Sequence, residues 1–147
     1  MATVTSGVFP VNALKIEIGT TKNSDTWTYV EIAEMESASI TVDTGVEEWN
    51  SIMNSGWRSA LATAKSLSMS MSGKRCLGDA GNDFVASKWN ANGQDCYSSC
   101  KITLPNGDTL VFDCVIQVTS FLGSDATAVA PLDFELLSNG EPVYTAQ

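Results

Sequence analysis

Serine and apolar residues alternate without interruption from residue 66 to residue 72, in the run Ser-Leu-Ser-Met-Ser-Met-Ser. Successive side chains of a β-strand point to opposite faces of its sheet, whereas a helix has a period of about 3.6 residues. The run therefore predicts a strand that places Leu67, Met69 and Met71 in a core and its serines on a polar face. Such a strand needs neighbours, because it cannot bury its apolar side alone.

The same alternation recurs along the chain and predicts a mainly β protein. It is clearest over residues 110–118, where Leu110, Phe112 and Cys114 begin the apolar side. Shorter runs predict strands at residues 14–18, 27–32, 38–42, 102–104 and 132–136. The sequence Pro105-Asn106-Gly107-Asp108 is a hairpin turn signal. Seven or eight antiparallel strands with one apolar face each predict an antiparallel β-sandwich or a partly closed barrel.

The length of 147 residues fits one domain, which we expect to span residues 1–147. One helix is expected within it, over about residues 79–91, with Asp79 or Asn82 as its N-cap. Its apolar stripe, which we expect to pack on the sheet, consists of Phe84, Val85 and Trp89. Among these, Trp89 is interpreted as a core anchor rather than a ligand platform. The fold class is therefore a β-sandwich or partly closed barrel flanked by one α-helix.

The segment of residues 43–64 follows neither the strand period nor the helix period, and we interpret it as an extended loop or arm. A connection of this length is usually functional or disordered, and its two tryptophans argue against disorder. Residues 57–63 could form a short helix. The arm either folds onto its own domain or, as we favour, buries its aromatic residues on a neighbouring copy. The residues expected to make this inter-subunit contact are Glu47, Glu48, Trp49, Met53 and Trp57.

The amino-acid composition excludes several common classes of catalytic site. The chain contains no histidine, which excludes Ser-His-Asp and Cys-His nucleophiles and histidine-containing zinc sites. Its four cysteines lack the usual C-x-x-C knuckle, so we expect neither a metal site nor a cofactor. Lys74 and Arg75 are expected to pair with acidic residues rather than bind phosphate. The sequence therefore predicts a protein that is not an enzyme.

Charge and hydropathy narrow the set of partners. The net charge of -9 argues against a sequence-independent grip on nucleic acid, which requires lysine and arginine at the phosphates. No stretch of about 18 apolar residues predicts a membrane-spanning helix. The start, MATVTSGVFP, lacks the basic and apolar regions of a secretion signal. We therefore expect no membrane association and no export.

A series of short motifs occurs in a fixed order between residues 30 and 145. They read TVDTGVEEW, GW, KSLSMSMSGKR, GDAGNDFV, GQDCY, LPNG, FDCVI and LDFELLSNG, starting at residues 41, 56, 65, 78, 93, 104, 112 and 132. As an ordered set they resemble the major tail tube proteins of long-tailed, siphovirus-type bacteriophages. The order of strands, helix, hairpin and final strands agrees with this resemblance.

The resemblance implies a structural virion protein. It implies hexameric rings that stack into a hollow tail tube, with a long loop linking subunits and rings and with genome DNA ejected through the channel. It also implies a tape-measure protein and tail tip or terminator proteins as partners. The localisation that follows is the phage tail, assembled in the cytoplasm of the bacterial host.

An acidic, hydroxyl-rich channel suits this role, because each lysine or arginine contact would hold the DNA through counterion release. Two sets of polar strand positions are candidates for the channel wall, and either set could instead face the outside of the tube. They are Ser37, Ser39, Thr41, Ser66, Ser68, Ser70 and Ser72, or else Asp133 and Glu135.

Two other functions remain open from the sequence. A tube subunit of a phage-tail-like bacteriocin would use the same fold without packaging DNA. A carbohydrate-binding β-sandwich is the second alternative, since Trp27, Trp49 and Trp57 could stack on sugar rings.

Overall fold

A computed structural model describes residues 6–147 as eight β-strands, one α-helix and several short 3-10 turns. The strands are β1 Lys15–Asn23, β2 Thr26–Glu31, β3 Met35–Asn50, β4 Arg58–Lys74, β5 Tyr97–Thr103, β6 Thr109–Ser120, β7 Pro131–Ser138 and β8 Val143–Thr145. The helix, α1, is Ala80–Ala86. Residues 1–5 of the expected 1–147 domain lie outside the described residues, and the extent of the domain stays a prediction.

All strands join one antiparallel sheet. Its order is β2-β1-β5-β6-β7-β4-β3, and β8 pairs with β6. Along β6, β8 lies beside the first part and β7 beside the second, so β7 and β8 follow one another past the same neighbour. The edge strands β2 and β3 do not pair with each other, and the sheet is not closed. The expected mainly antiparallel β fold with one flanking helix is confirmed.

The alternation that predicted the strands also defines the core. Met69 and Met71 are buried, whereas Ser70 and Ser72 between them are exposed. The sheet buries one face, and α1 adds two residues to the same cluster. This core consists of Ile18, Ile32, Met69, Met71, Val85, Ala86, Cys100, Ile102, Phe112, Cys114, Ile116, Leu132, Phe134 and Leu136.

The helix is shorter than predicted. It begins after Asp79, whose carboxylate accepts a hydrogen bond from the Asn82 backbone N–H at 3.0 Å, so Asp79 is the N-cap. After Ala86 the chain tightens into a 3-10 turn over Ser87–Asn90. That change of period alters where the next side chains point.

The expected apolar stripe of the helix is therefore only partly correct. Val85 is buried, and Phe84 is half-buried against the core. The interpretation of Trp89 as a core anchor is wrong: this side chain is 58% exposed and stacks on Phe121 with ring centroids 5.4 Å apart. Trp89 lies in the 3-10 turn, so it does not continue the α-helical stripe.

A buried asparagine fixes α1 to the sheet. The Asn82 side chain accepts hydrogen bonds from Arg75 at 2.8 Å and from the Cys76 backbone at 3.0 Å, and donates to the carbonyl oxygens of Ala33 and Lys74. All of its hydrogen-bonding capacity is used, which offsets the cost of burying a polar group. The network links the helix to the β2–β3 turn and to the end of β4.

The expected pairing of Lys74 and Arg75 with acids is confirmed. The Nη1 atom of Arg75 lies 2.7 Å from the Oδ1 atom of Asp83. The Nζ atom of Lys74 lies 2.7 Å from the Oε1 atom of Glu36. The hydrogen bond from Arg75 holds the pKa of Asp83 below its ordinary value.

Gly81 makes the close approach of α1 possible. A Cβ atom at this position would lie 2.4 Å from the Glu31 carbonyl oxygen. Alanine normally stabilises a helix relative to glycine, but here we expect Gly81→Ala to lower the free energy of unfolding by about 1–3 kcal/mol, because the backbone must move. Urea unfolding of the monomer measures the change.

The control is Gly45→Ala, on the exposed edge strand, where the new Cβ would lie 3.3 Å from the Ala64 side chain. We expect this substitution to change stability by no more than about 0.5 kcal/mol. Equal stability of the Gly81→Ala protein and the wild type would contradict the close-approach argument.

Candidate assembly surfaces

The arm, residues 43–64, is a two-stranded β-hairpin. It continues β3 and β4 past the end of the sheet, since β4 pairs with β7 only from Ser68 to Lys74, whereas β3 and β4 stay paired as far as Asn50 and Arg58. The expected helix at residues 57–63 is wrong, because these residues belong to β4 apart from Trp57. The arm does not fold onto its own domain: nearly all of its residues are exposed.

The arm shows no clear period because residues on both of its faces are exposed, and one strand also contains an extra residue. Gly45 pairs with Ala64 and Val46 pairs with Ala62, so Thr63 is an unpaired residue that forms a β-bulge. Its hydroxyl donates a hydrogen bond of 3.3 Å to the Gly45 carbonyl oxygen. The bulge lies near the root of the arm and shifts the alternation of β4 there.

Hydrogen bonds hold the turn at the end of the arm in a defined conformation. Ser51 accepts a hydrogen bond from the Met53 backbone and caps a 3-10 turn over Ile52–Asn54. Ser55 and Gly56 then adopt positive φ values of 51° and 86°, which reverse the chain into β4. Hydrogen bonds from the Trp57 N–H to the Asn54 carbonyl and from the Asn54 side chain to Ser59 close the turn.

Three exposed apolar side chains lie at this turn, and we call them the arm tip: Ile52, Met53 and Trp57. The three side chains are 100%, 92% and 78% exposed. These three large apolar side chains form a contiguous exposed group, unlike the single exposed apolar residues that most protein surfaces carry. Of the arm residues expected from the sequence, Met53 and Trp57 lie in the tip, whereas Ile52 was not among them.

The remaining expected arm residues lie on the shaft. Glu47 is paired opposite Leu61 and Trp49 opposite Ser59, and Trp49 is 48% exposed. Glu48 forms an ion pair of 3.2 Å with Arg58. Both partners of this ion pair are largely exposed, so it orients the side chains more than it stabilises the fold.

The polar strand positions expected from the sequence form one continuous surface, which we call the polar face. Directly opposite residues of antiparallel strands share a side of the sheet. One row across β3, β4 and β7 is Ser37, Ser72 and Asp133, and the next row is Ser39, Ser70 and Glu135. The two candidate sets are therefore parts of the same face rather than alternatives.

Hydrogen bonds join the two sets. Ser72 donates to Asp133 at 2.8 Å, and Ser70 donates to Glu135 at 3.3 Å. A third row places Thr41 opposite Ser68, and Ser66 lies opposite Asp43 at the root of the arm. The face is thus lined by hydroxyl groups and carboxylates.

A groove of 680 Å³ lies where the arm leaves the sheet, and we call it the root groove. Its walls come from β3, β4, β6 and the C-terminal segment, and include Val42, Lys65, Leu67, Leu110, Pro142 and Tyr144. No periodic pattern in the sequence indicates this groove, because its wall segments meet only through the sheet topology.

A polar clasp holds the C-terminal wall of this groove. The Tyr144 hydroxyl donates to Asp108 at 2.6 Å, and the Gln147 backbone N–H donates to the other carboxylate oxygen at 3.0 Å. The hydrogen bond from Tyr144, supported by that from Gln147, lowers the pKa of Asp108. The same bond raises the pKa of Tyr144.

Among residues 6–147, no group of three or more cysteine, aspartate or glutamate residues is arranged to hold a metal ion. The four cysteines are free thiols, and Cys96, Cys100 and Cys114 are buried. Burial raises the pKa of Cys114 to about 12 and that of Cys100 further still, so neither is a reactive thiolate near neutral pH. In the described part of the chain no helix is both long and apolar enough to cross a bilayer.

No protein-family model and no curated protein sequence matches the chain. Solved structures share its fold. A chain in the tail of an empty gene transfer agent particle with C6 symmetry superposes with a TM-score of 0.69 at 19% identity, over 95% of this chain and 100% of that one. A chain in the virion of the native gene transfer agent particle gives 0.69 at 16% identity with the same coverage.

A third match is a chain in the cap that terminates the tube of the anti-feeding prophage, with a TM-score of 0.60 and 14% identity over 96% of this chain and 95% of that one. The chain therefore has the fold of subunits in tailed and tube-forming particles. The resemblance to tail tube proteins is confirmed at the level of this fold.

The clasp yields a prediction about proton binding. We expect Tyr144→Phe to raise the pKa of Asp108 towards its ordinary value, because the hydrogen bond that contributes most to lowering it is lost. A lowered carboxyl pKa stabilises the folded state above the ordinary pKa, and this contribution is lost as the pH falls through the lowered value. The variant should therefore depend less on pH in that acidic window. NMR titration of the Asp108 carboxyl carbon measures the shift.

Tyr97→Phe is the control, since Tyr97 is not a hydrogen-bond partner of Asp108, and it should leave the titration of Asp108 unchanged. An Asp108 pKa that does not move in Tyr144→Phe would show that Gln147 and Asn106 alone hold the carboxylate.

Proposed function

We propose that this protein is a structural subunit of a phage tail tube, built from stacked hexameric rings. The observation that carries the proposal is the arm: a rigid hairpin with an exposed apolar tip, on the fold found in C6-symmetric tail particles. An isolated subunit gains nothing from holding Ile52, Met53 and Trp57 in water. A subunit that docks these side chains onto another copy gains the free energy of their burial.

The arm is the inter-subunit element of this proposal. Glu47, Glu48, Trp49, Met53 and Trp57 lie along a hairpin whose backbone hydrogen bonds are made within the chain. The arm can therefore cross to a neighbour without disturbing its own sheet. Tryptophan and methionine are side chains that interfaces favour at their buried centres.

The polar face is the proposed wall of the channel. It carries carboxylates and hydroxyl groups, and the cation at the end of β4, Lys74, is paired with Glu36. A wall of this kind does not hold phosphate groups by counterion release. Genome DNA would pass along it without specific binding.

The remaining parts of the proposal concern partners and location. The tube would end at tail tip and terminator proteins and would enclose a tape-measure protein before ejection. Assembly would take place in the cytoplasm of the bacterial host, and the finished protein would be part of the virion tail. The role is structural rather than enzymatic, a proposal that the lack of histidine supports.

A tube subunit of a phage-tail-like bacteriocin is the second candidate function. The fold match to the anti-feeding prophage cap favours it, since that particle also contains a tube. The carbohydrate-binding alternative has less support. Trp27 lies on β2 at one end of the sheet order, whereas Trp49 and Trp57 belong to the arm at the other end, so the three do not form one stacking platform.

Loss of the arm aromatics should abolish assembly. We expect Trp49→Ala combined with Trp57→Ala to leave a folded monomer that no longer polymerises, because both side chains are exposed and support no core packing. Each truncation at an interface centre costs about 2 kcal/mol or more. Sedimentation velocity and electron microscopy measure ring and tube formation at high concentration.

The control is Leu122→Ala combined with Val129→Ala, which removes exposed apolar side chains outside the arm. This variant should form tubes as the wild type does. Tubes of normal length from the tryptophan double variant would reject the assignment of the arm to assembly.

The channel wall can be tested by charge. We expect Ser70→Lys combined with Ser72→Lys to slow DNA ejection from assembled particles and to leave tube assembly intact, since new cations on the polar face would retain phosphate. Ejection kinetics of a phage carrying the variant measure the effect at several salt concentrations, and the retardation should weaken as salt rises.

Ser124→Lys, on an exposed loop outside the sheet, serves as the control and should eject DNA at the wild-type rate. Unchanged ejection with lysines on the polar face would place that face elsewhere than on the channel.

A further inference from the structure

The root groove and the arm tip have matching properties. The groove has apolar walls from Val42, Leu67, Leu110 and Pro142, and its volume of 680 Å³ lies within the roughly 300–1,000 Å³ of pockets that bury drug-sized groups. The tip offers three apolar side chains that the subunit does not bury. Each chain thus carries both an apolar groove and an exposed apolar arm tip.

The subunit cannot place its own tip in its own groove. The groove lies at the root of the arm, and β3 and β4 remain paired from the root to Asn50 and Arg58. Asn50, where the arm strand ends, lies eight residues after Val42, which in an extended strand corresponds to roughly 27 Å. The tip is therefore held far from the groove of the same chain, and the groove must be filled from outside it.

Charged groups accompany both surfaces in the same combination. Glu48 and Arg58 flank the tip, and Lys65 and Glu141 line the groove. Within residues 6–147, neither Lys65 nor Glu141 takes part in an ion pair. Each surface thus offers one acid and one base, which can pair crosswise on contact.

We propose that the root groove receives the arm tip of a second copy of this chain. Trp57 and Met53 of one copy fill the groove, and the Glu48–Arg58 pair meets Lys65 and Glu141 of the next copy. This inference rests on the proposed tube function and specifies the contact by which that function is carried out.

A contact between two different surfaces of the chain allows copies to be added repeatedly. Tip and groove are different surfaces on one chain, so each copy that fills a groove leaves its own groove free for another copy. Such a heterologous contact propagates without limit unless rotation closes it into a ring. Copies joined in this way would be spaced by about the reach of the arm, roughly 25–30 Å.

Cysteine cross-linking tests the contact in the full chain. In a Cys76→Ser background, Met53→Cys combined with Val42→Cys puts one thiol in the tip and one on the groove wall, where Val42 is exposed. Oxidation of assembled protein should give a ladder of covalent multimers on a denaturing gel. Met53→Cys combined with Ser70→Cys, whose second thiol lies on the polar face, should give no ladder.

Other results of this experiment would overturn the inference. Tubes that form without a ladder would show that the tip docks elsewhere. Dimers from Met53→Cys alone at the yield of the pair would show that tips contact each other. Tube formation by the uncross-linked protein is scored separately, so a wild type that forms no tubes would reject the proposed function as well.

Charge reversal gives an independent test that retains net charge. Glu48→Lys with Arg58→Glu reverses the tip pair, and Lys65→Glu with Glu141→Lys reverses the groove pair. We expect either reversal alone to raise the critical concentration for polymerisation by about tenfold or more, since like charges then face each other. Both reversals together should restore assembly.

Circular dichroism and sedimentation of the monomer show whether each reversed variant is folded. Folded variants in which the quadruple substitution assembles no better than the single-surface reversals would contradict the crosswise pairing. Normal assembly by both single-surface reversals would contradict it equally.

Discussion

The backbone hydrogen bonds between β3 and β4 are the interaction on which the rest of the structure depends. They continue from the sheet into the arm and satisfy the peptide groups of a segment that has no core of its own. Because these bonds are made within the chain, the arm side chains remain free for intermolecular contacts. A loop of the same length without this pairing would have to lose far more conformational entropy on docking.

The same two strands perform three tasks along their length. Met71 contributes to the core, and Ser70 and Ser72 form part of the polar face. Over residues 43–64 the two strands form the arm. The period of two makes this possible, because one strand can present apolar residues to the core and polar residues to the other side. In the proposed tube, the assembly contact and the channel wall would therefore lie on the same two strands.

Strict alternation made the sheet predictable, and the reasons for the errors are equally local. The helix cap at Asp79 and the buried Met69 follow from residue type and spacing, and both are as expected. Trp89 was misplaced because a 3-10 turn replaces the last helical turn. The hairpin of the arm was missed because neither of its faces is buried, so no apolar side repeats, and because the Thr63 bulge interrupts the period of β4. The root groove has no sequence signal at all, since sheet topology brings its walls together.

Thr63 also has a consequence for the geometry of any polymer this chain builds. A bulge bends a strand and increases its right-handed coiling, so the direction in which the hairpin leaves the domain depends on one surplus threonine. Removing that residue would leave Gly45 paired with Ala64 and Val46 with Ala62, but would straighten the hairpin and change its direction. In the proposed tube, the direction that this bulge gives to the hairpin would contribute to the rotation between successive rings.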